Sequence, residues 1–365
     1  MESYFVGHTL RLTLFGGSHE EFVGATLEGF PAGIPYPADG VRRFMARRAP
    51  GRGSVSSARK EADEVNVVSG FTNGVSDGSP VMLKIMNTDV RRADYEGVRL
   101  VPRPSHADFC AYMKYGPDFD MSGGGHFSGR MTAPVCAVGA LLLSYLENKG
   151  VTVGAHILQT GNVFDTPFDR ASVGKDLLLS LAERGFPVID ADAGEKMKRE
   201  VMTAAADKDS VGGVVECAAV GVACGFGGPA FEGIDGELAR AVFGIPGVRG
   251  FDIGAGFGAA AMRGSMHNDP FFMSGENVLT KKNDHGGVLG GITSGMPVVF
   301  RAAIKPTPSI GKEQQSVSLS SGTDVPLTVV GRHDPCIVPR AVPCVEAVTA
   351  LVLADHYITY KNEKR

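Results

Sequence analysis

The chain has 365 residues, 43% hydrophobic and 21% charged, with a net charge of −4, 49 glycines and no tryptophan. That balance excludes a disordered chain, a coiled coil and a disulfide-built miniprotein. The longest apolar stretch, Val135 to Leu146, is 12 residues long, short of the ~20 that a membrane span needs, so no membrane association is expected.

Taken in chain order, Leu10 to Phe15 alternates Leu10, Leu12 and Leu14 with Arg11 and Thr13, which predicts a strand running into Gly16-Gly17-Ser18-His19. Val65–Val68 and Val81–Met86 predict short strands, joined across the turn residues Asn73-Gly74 and Asp77-Gly78. The clearest helix runs from about Pro134 to Lys149, capped by Thr132, ended by Gly150 and apolar nearly all round. Val151–Ile157 reads as a strand, Glu195–Lys208 as an amphipathic helix, and Val211–Cys224 as a strand. Asp235–Val242 reads as a helix with Asp235 at its N-cap, and Met296–Ile304 and Val325–Val330 as strands. Pro343 opens a last apolar helix to about Tyr357. Residues 161–194 give no clear pattern and read as a peripheral segment. Strand pairs between lone helices do not match the regular alternation of a doubly wound sheet. The expectation is an α/β chain of α+β character. No linker divides it, so 1–365 reads as one domain.

Arginine clusters in two places: Arg42, Arg43, Arg47, Arg48, Arg52, Arg59 with Lys60, and Arg91, Arg92, Arg99, Arg103. The planar fork of Arg suits carboxylates and phosphates. In a chain that is acidic overall, local clusters favour a small anionic ligand over nucleic acid. His19 ends the first strand, and His106 sits three residues after Arg103 with Pro104 between them. His106 fits general acid chemistry near neutral pH; alone, it also fits a satisfied structural histidine, and His19 a loop histidine on the surface. Gly123-Gly124-Gly125 precedes His126-Phe127-Ser128 at the start of the predicted buried helix, where N–H groups attract anions. A second glycine-rich turn, Gly286 to Gly291, leads into a strand and then Lys305-Pro306-Thr307-Pro308-Ser309. Neither cluster is a Walker loop or a dinucleotide fingerprint. No histidine pair has metal-ligand spacing, so no metal is assigned. The six cysteines show no CxxC, and the N-terminus lacks a signal-peptide pattern. Reduced thiols and a cytoplasmic location are expected.

Seven blocks in order together resemble the chorismate synthase family: FGGSHE, RRAPGRG, RPSHADF, KYG with GGGHFSGR, FEGIDGELARAVFGIPGVRGFDIGAGF, GGVLGGITSGMPVVFRAAIKPTPSI and GRHDPCIVPRAVPCVEAVTALVLADH. They span nearly the whole chain except residues 155–210. The resemblance implies a single α/β domain with helices layered between mostly antiparallel sheets, usually a homotetramer. It implies a lyase, converting 5-enolpyruvylshikimate 3-phosphate to chorismate and phosphate by 1,4-elimination with reduced FMN, the final step of the shikimate pathway. By resemblance, His19, His106, Asp334 and Ser18 are the catalytic candidates. FMN would be bound by His126, Phe127, Ser128, Pro246, Gly247, Gly290, Lys305, Pro306, Thr307, Pro308, Ser309 and Arg332. Arg48, Arg103, Arg130 and Arg340 would bind the substrate anions. The chain departs from the commonest family form at Gly17 and Glu20, where Glu and Gly are usual. It departs again at His126-Phe127, where Arg-Ser is commoner, and at Ser54, often Arg, near Arg52. Two other classes stay open: an FMN oxidoreductase with net redox turnover, and a nucleic-acid binder using the Arg clusters. With no dinucleotide fingerprint, NADPH is expected only as an indirect reductant.

Overall fold

The computed structural model describes residues 1–49, 63–88, 100–120, 122–329, 331 and 334–363. The alternation in the first predicted strand pays out across a whole sheet. Strands β1 (Glu2–Val6), β2 (Arg11–Gly16) and β3 (Phe22–Glu28) form a meander, and helix α1 (Ala38–Arg48) follows. After β4 (Asn66–Ser69) comes a small hairpin, β5 (Phe71–Thr72) and β6 (Val75–Ser76), and then β7 (Val81–Met86). The antiparallel order is β1-β2-β3-β7-β4. Val23, Ala25 and Leu27 pair with Ile85, Leu83 and Val81, all buried, so a period of two gives one apolar face.

Helix α2 (Asp108–Tyr115) and two glycine-rich turns lead into α3 (Thr132–Glu147), which packs on that face. Beyond α3 lie β8 (Thr152–Thr160), β9 (Val163–Phe164), α4 (Lys175–Ala182), α5 (Ala191–Ala206) and β10 (Gly213–Val220). Next come α6 (Ile234–Phe243), β11 (Val248–Ile253), a single turn α7 (Gly264–His267) and the hairpin β12 (Phe271–Ser274) with β13 (Asn277–Thr280). A tight pair, β14 (Val288–Leu289) and β15 (Ile292–Thr293), precedes β16 (Val298–Ile304). Last are the hairpin β17 (Gln314–Ser318) and β18 (Thr323–Leu327), and helix α8 (Val338–Glu363). The second sheet runs β11-β16-β10-β8-β9, again antiparallel. Helices α1, α3, α6 and α8 lie between the two sheets, as the family resemblance implied.

Helices α3 and α8 touch backbone to backbone. A Cβ on Gly139 would lie 2.3 Å from Cβ of Ala347, so only glycine permits this approach. Two buried carboxylates anchor α8. Glu346 takes a bidentate ion pair from Arg47 at 2.6 and 2.8 Å, and its Oε1 also accepts the Ala155 N–H. Asp355, almost fully buried, accepts the N–H groups of His8, Thr9 and Leu10 at 2.6 to 2.8 Å. Such buried carboxylates persist because both oxygens of each have donors.

Several expectations change. The strands β1, β3, β11 and β17 and the helices α1, α2 and α4 carry no clear sequence signal, because their short amphipathic patterns are broken by small residues. Thr132 does not cap α3 by accepting an N–H; its hydroxyl donates to Gly129 O at 2.6 Å, from inside the helix. Asp235 lies in the first turn of α6, behind the N-cap Gly233. Pro343 lies inside α8, which starts at Val338 with Pro339 in its first turn, where no N–H bond is lost. Residues 161–194 lie largely on the outside of the second sheet but carry a core of their own. Phe168, Val173, Leu178 and Leu181 form a second small core on the outer face of the second sheet, with Leu178 seated over Gly154. Two helices, Gly129–Glu147 and Val338–Tyr360, are long and apolar enough to cross a membrane by composition, but 78% and 94% of each is buried inside the fold. A helix packed on all sides carries the same apolar signature as a membrane span.

Candidate active site

The N-terminal ends of α3 and α8 and the loops after β2, β7 and β16 converge on one open cavity of about 840 Å³. This is near the top of the ~300–1,000 Å³ range of ligand sites. His19, Arg48, Arg103, His106, Arg130, Asp334 and Arg340 line it, as do His126, Phe127, Ser128, Pro246, Gly247 and the run from Lys305 to Ser309. Gly290 does not; it sits at the β14–β15 turn, away from the cavity wall. Ser18 is fully buried behind His19. Arg332, Arg52 and Ser54 lie outside the described residues.

The triple glycine has a specific task. Gly123, Gly124 and Gly125 all have φ between 52° and 89°. A Cβ on Gly123 would lie 1.9 Å from Cε1 of His19, and one on Gly124 would lie 3.3 Å from Cε1 and Nε2 of His106. The bare backbone therefore threads between the two imidazoles. Ser18 Oγ lies 3.0 Å from His19 Nδ1 and 3.2 Å from Gly123 O, tying loop and histidine together. Glu20 leans back over Gly17, its Oε1 2.8 Å from where a Cβ there would begin. The carboxylate thus fills the place that a side chain on residue 17 would take.

His106 is oriented from behind. Its Nδ1 lies 2.6 Å from Asp108 Oδ1, and Asp108 also takes Nε and Nη2 of Arg103 at 2.7 and 2.8 Å. Burial pushes the Asp108 carboxyl up, but its bonds from Arg103 and His106 outweigh that and hold it far below the usual carboxylate range. Arg103 Nη1 continues to Ser309 Oγ at 3.1 Å. Lys305 Nζ bonds Ser105 O. Burial, and then Arg249, lower its pKa.

At the other end, Asp63 stands between Arg48 Nη1, at 2.7 Å, and Arg130 Nη1. Its burial raises its pKa, and the two guanidiniums reverse this to a net lowering. Arg130 also donates to Asn87 Oδ1 at 2.9 Å, and Asn87 Nδ2 reaches Gly17 O and Glu20 O at 3.0 and 2.8 Å. Arg340 donates to Asp334 Oδ2 at 2.6 Å and to Arg48 O at 3.1 Å. Burial first, and then the neighbouring Arg48, lower the Arg340 pKa. Asp63, Asn87 and Asp108 were not singled out from sequence. Asp108 stands two residues after His106, a readable signal, whereas Asp63 and Asn87 carry none.

His126 is pinned by one backbone carbonyl and one hydroxyl, Nδ1 3.0 Å from Gly16 O and Nε2 2.9 Å from Ser3 Oγ. Phe127 joins Tyr115 and Phe119 in an aromatic cluster. Among the described residues Thr307 Oγ1 is buried without a hydrogen-bond partner, and Gly247 presents bare backbone at φ 95°. An orphaned hydroxyl, a glycine backbone at the cavity wall and nearby Lys305 and Arg249 suit a bound phosphate-bearing group. Elsewhere, His8 and His356 each place Nε2 2.8 Å from Glu237, a link between the first turn, α6 and α8 outside the cavity.

Cations outnumber acids around this open cavity, and the imidazoles of His19 and His106 line it. That combination defines an enzyme that works on a small polyanion by acid–base chemistry. A family profile described as chorismate synthase matches residues 10–358. The chorismate synthase of Lancefieldella parvula is 40% identical, over 98% of this chain and 97% of its own. That of Thermococcus gammatolerans is 44% identical over 97% and 98%. A crystal structure of a chorismate synthase superposes with a TM-score of 0.74 at 28% identity, covering 96% of this chain and 91% of that one. The chain belongs to the chorismate synthase family. It is a carbon–oxygen lyase, eliminating phosphate from 5-enolpyruvylshikimate 3-phosphate to give chorismate, the last step of the shikimate pathway, and the family requires a reduced flavin. The family assignment favours the lyase reading over the nucleic-acid and net-redox readings of the sequence.

Proposed function

We propose that this elimination takes place in the 840 Å³ cavity with reduced FMN, and that His19, His106 and Asp334 move its protons. The observation that carries this reading is the meeting of both histidines, Asp334 and four arginines on one wall system. FMN, when bound along Gly247 and Lys305 to Ser309, supplies transient electron density. Ser18 engages Nδ1 of His19, which leaves Nε2 to protonate the leaving phosphate. Asp108 fixes Nδ1 of His106 as the proton-bearing nitrogen and turns Nε2 toward the flavin side. Asp334, paired with Arg340, is the acceptor for the C6 proton. Arg48, Arg103, Arg130 and Arg340 set the positive field for two carboxylates and a phosphate. Arg103 and Arg130, bonded inward to Asp108 and Asp63, also hold the site rigid.

The reading extends to one domain over 1–365, a cytoplasmic enzyme and a homotetramer. Exposed Phe231, Phe257, Phe271 and Met273 support self-association, as apolar surface that another copy would cover. Reduced flavin is delivered from outside, NADPH acting only indirectly. Anaerobic phosphate release with photoreduced FMN, oxidised FMN and no flavin tests the core of the proposal. Release only with reduced FMN supports it; release without flavin overturns it.

A further inference from the structure

Two of the six cysteines face each other under the cavity floor. Cys136 on α3 and Cys344 on α8 each sit three residues before the Gly139–Ala347 contact, where the two backbones meet. Their sulfurs are 3.7 Å apart, the Cys136 thiol donating to Cys344. Cys136 has no exposure at all, whereas Cys344 belongs to the cavity lining. Cys344 Sγ also touches Arg340 O at 3.2 Å, beside the guanidiniums that hold the substrate end.

We propose that Cys136 and Cys344 form a modification site, a thiol pair that a hydroperoxide entering the cavity oxidises to a disulfide. The Cys344 sulfur attacks one peroxide oxygen, the O–O bond breaks, and the other oxygen leaves as hydroxide or alkoxide and is protonated. Cys344 is then a sulfenic acid. Cys136 attacks its sulfur, the S–O bond breaks, and water leaves with the Cys136 proton. The two sulfurs together give two electrons to the peroxide. The sulfurs must close from 3.7 Å to about 2.0 Å, a shift that draws Cys344 away from Arg340 O.

The electrostatics favour this order of events. The Cys344 thiol is held down to about 7, first by the hydrogen bond from Cys136, against burial, and then by Arg48, Thr132 and Arg340. Burial raises the thiol of Cys136, the resolving partner. The other cysteines lack this arrangement. Cys217 and Cys336 are buried and pushed up, Cys336 to about 12. Cys110 and Cys224 are exposed.

The test uses the full chain, reduced, freed of thiol and titrated with hydrogen peroxide at pH 7. It is then unfolded, alkylated and mapped by mass spectrometry. The expected result is a thiol-reversible cross-linked peptide joining Cys136 to Cys344, with Cys217 and Cys336 oxidised about 100-fold more slowly or less. In C136S, dimedone should trap a sulfenic acid at Cys344. The proposal is overturned if Cys110 and Cys224 oxidise while Cys136 and Cys344 remain alkylatable, or if the two oxidise without joining each other.

Discussion

Replacing Gly123 by alanine tests the reason for the triple glycine. The added Cβ would lie 1.9 Å from Cε1 and 2.1 Å from Nδ1 of His19, and 3.0 Å from Ser18 Oγ. Restoring ordinary carbon contact at ~3.5 Å requires the ring or the loop to move by about 1.6 Å. The backbone also sits at φ 60°, where an L side chain adds about 1–2 kcal/mol of strain. A catalytic group displaced by about 1 Å loses on the order of 100-fold in rate. G123A should therefore fold with a slightly lower melting temperature and release phosphate at least ~100-fold more slowly. Gly236, outside the cavity lining and with nothing within 4 Å of where its Cβ would be, supplies the control, and G236A should keep near wild-type turnover. Turnover is read by phosphate release with photoreduced FMN, and folding by thermal melting. Wild-type turnover in G123A would refute both the contact argument and the role given to His19.

Three other perturbations follow from buried charges. D108N leaves His106 and Arg103 without their carboxylate, and turnover should fall by ~100- to 10,000-fold, while FMN titration shows binding retained. D63N strands two buried guanidiniums and should cost about 3–5 kcal/mol in chemical denaturation at pH 7. Because the Asp63 pKa is lowered in the fold, its contribution is complete above the unfolded value near 3.8 and fades as the pH falls through the folded one, so D63N should also flatten the acid limb of stability. His156 is fully buried between Asp165 at 2.9 Å and Glu216 at 3.0 Å. Burial lowers its pKa, but the bonds to the two carboxylates outweigh this and raise it above 6.5. Its stabilisation is then complete below about pH 6.5 and lost as the pH rises through the folded value. Urea midpoints between pH 6 and 9 should fall in the wild type and lose that slope in H156Q; an unchanged slope in H156Q counts against the assignment.

Long, strongly patterned elements were legible in the sequence. Helix α3, strand β7 and the core of β16 stand close to where periodicity puts them. The short edge and linking elements were not, because five or six residues carry too little pattern once glycine and threonine intervene. Residues 161–194 looked featureless because their buried set is spread over a loop and one helix turn, with Phe168 and Leu181 thirteen positions apart. At the site, the histidines and arginines announced themselves through dense motifs. Their partners did not. Asp63 acts on Arg48 and Arg130 from 15 and 67 positions away, a relation that only folding creates. The glycine cluster was visible, but its purpose was not. It reads as an anion cradle in sequence and proves to be clearance between two rings.

The three N–H groups held by Asp355 lie 345 to 347 positions from it along the chain. Glu346 reaches back to Arg47 across 299. During synthesis α8 follows every other element described, so until it is made the inner face of the second sheet over β8, β10 and β16 lacks its main cover. The cavity lining is incomplete until then as well, since Asp334 and Arg340 come from the same stretch. Contacts of such separation make slow folding the expectation, with a late, nearly simultaneous gain of core and active site. A nascent chain paused before residue 338 would be an aggregation-prone pair of half-covered sheets, so timely arrival of this one helix sets the yield of working enzyme.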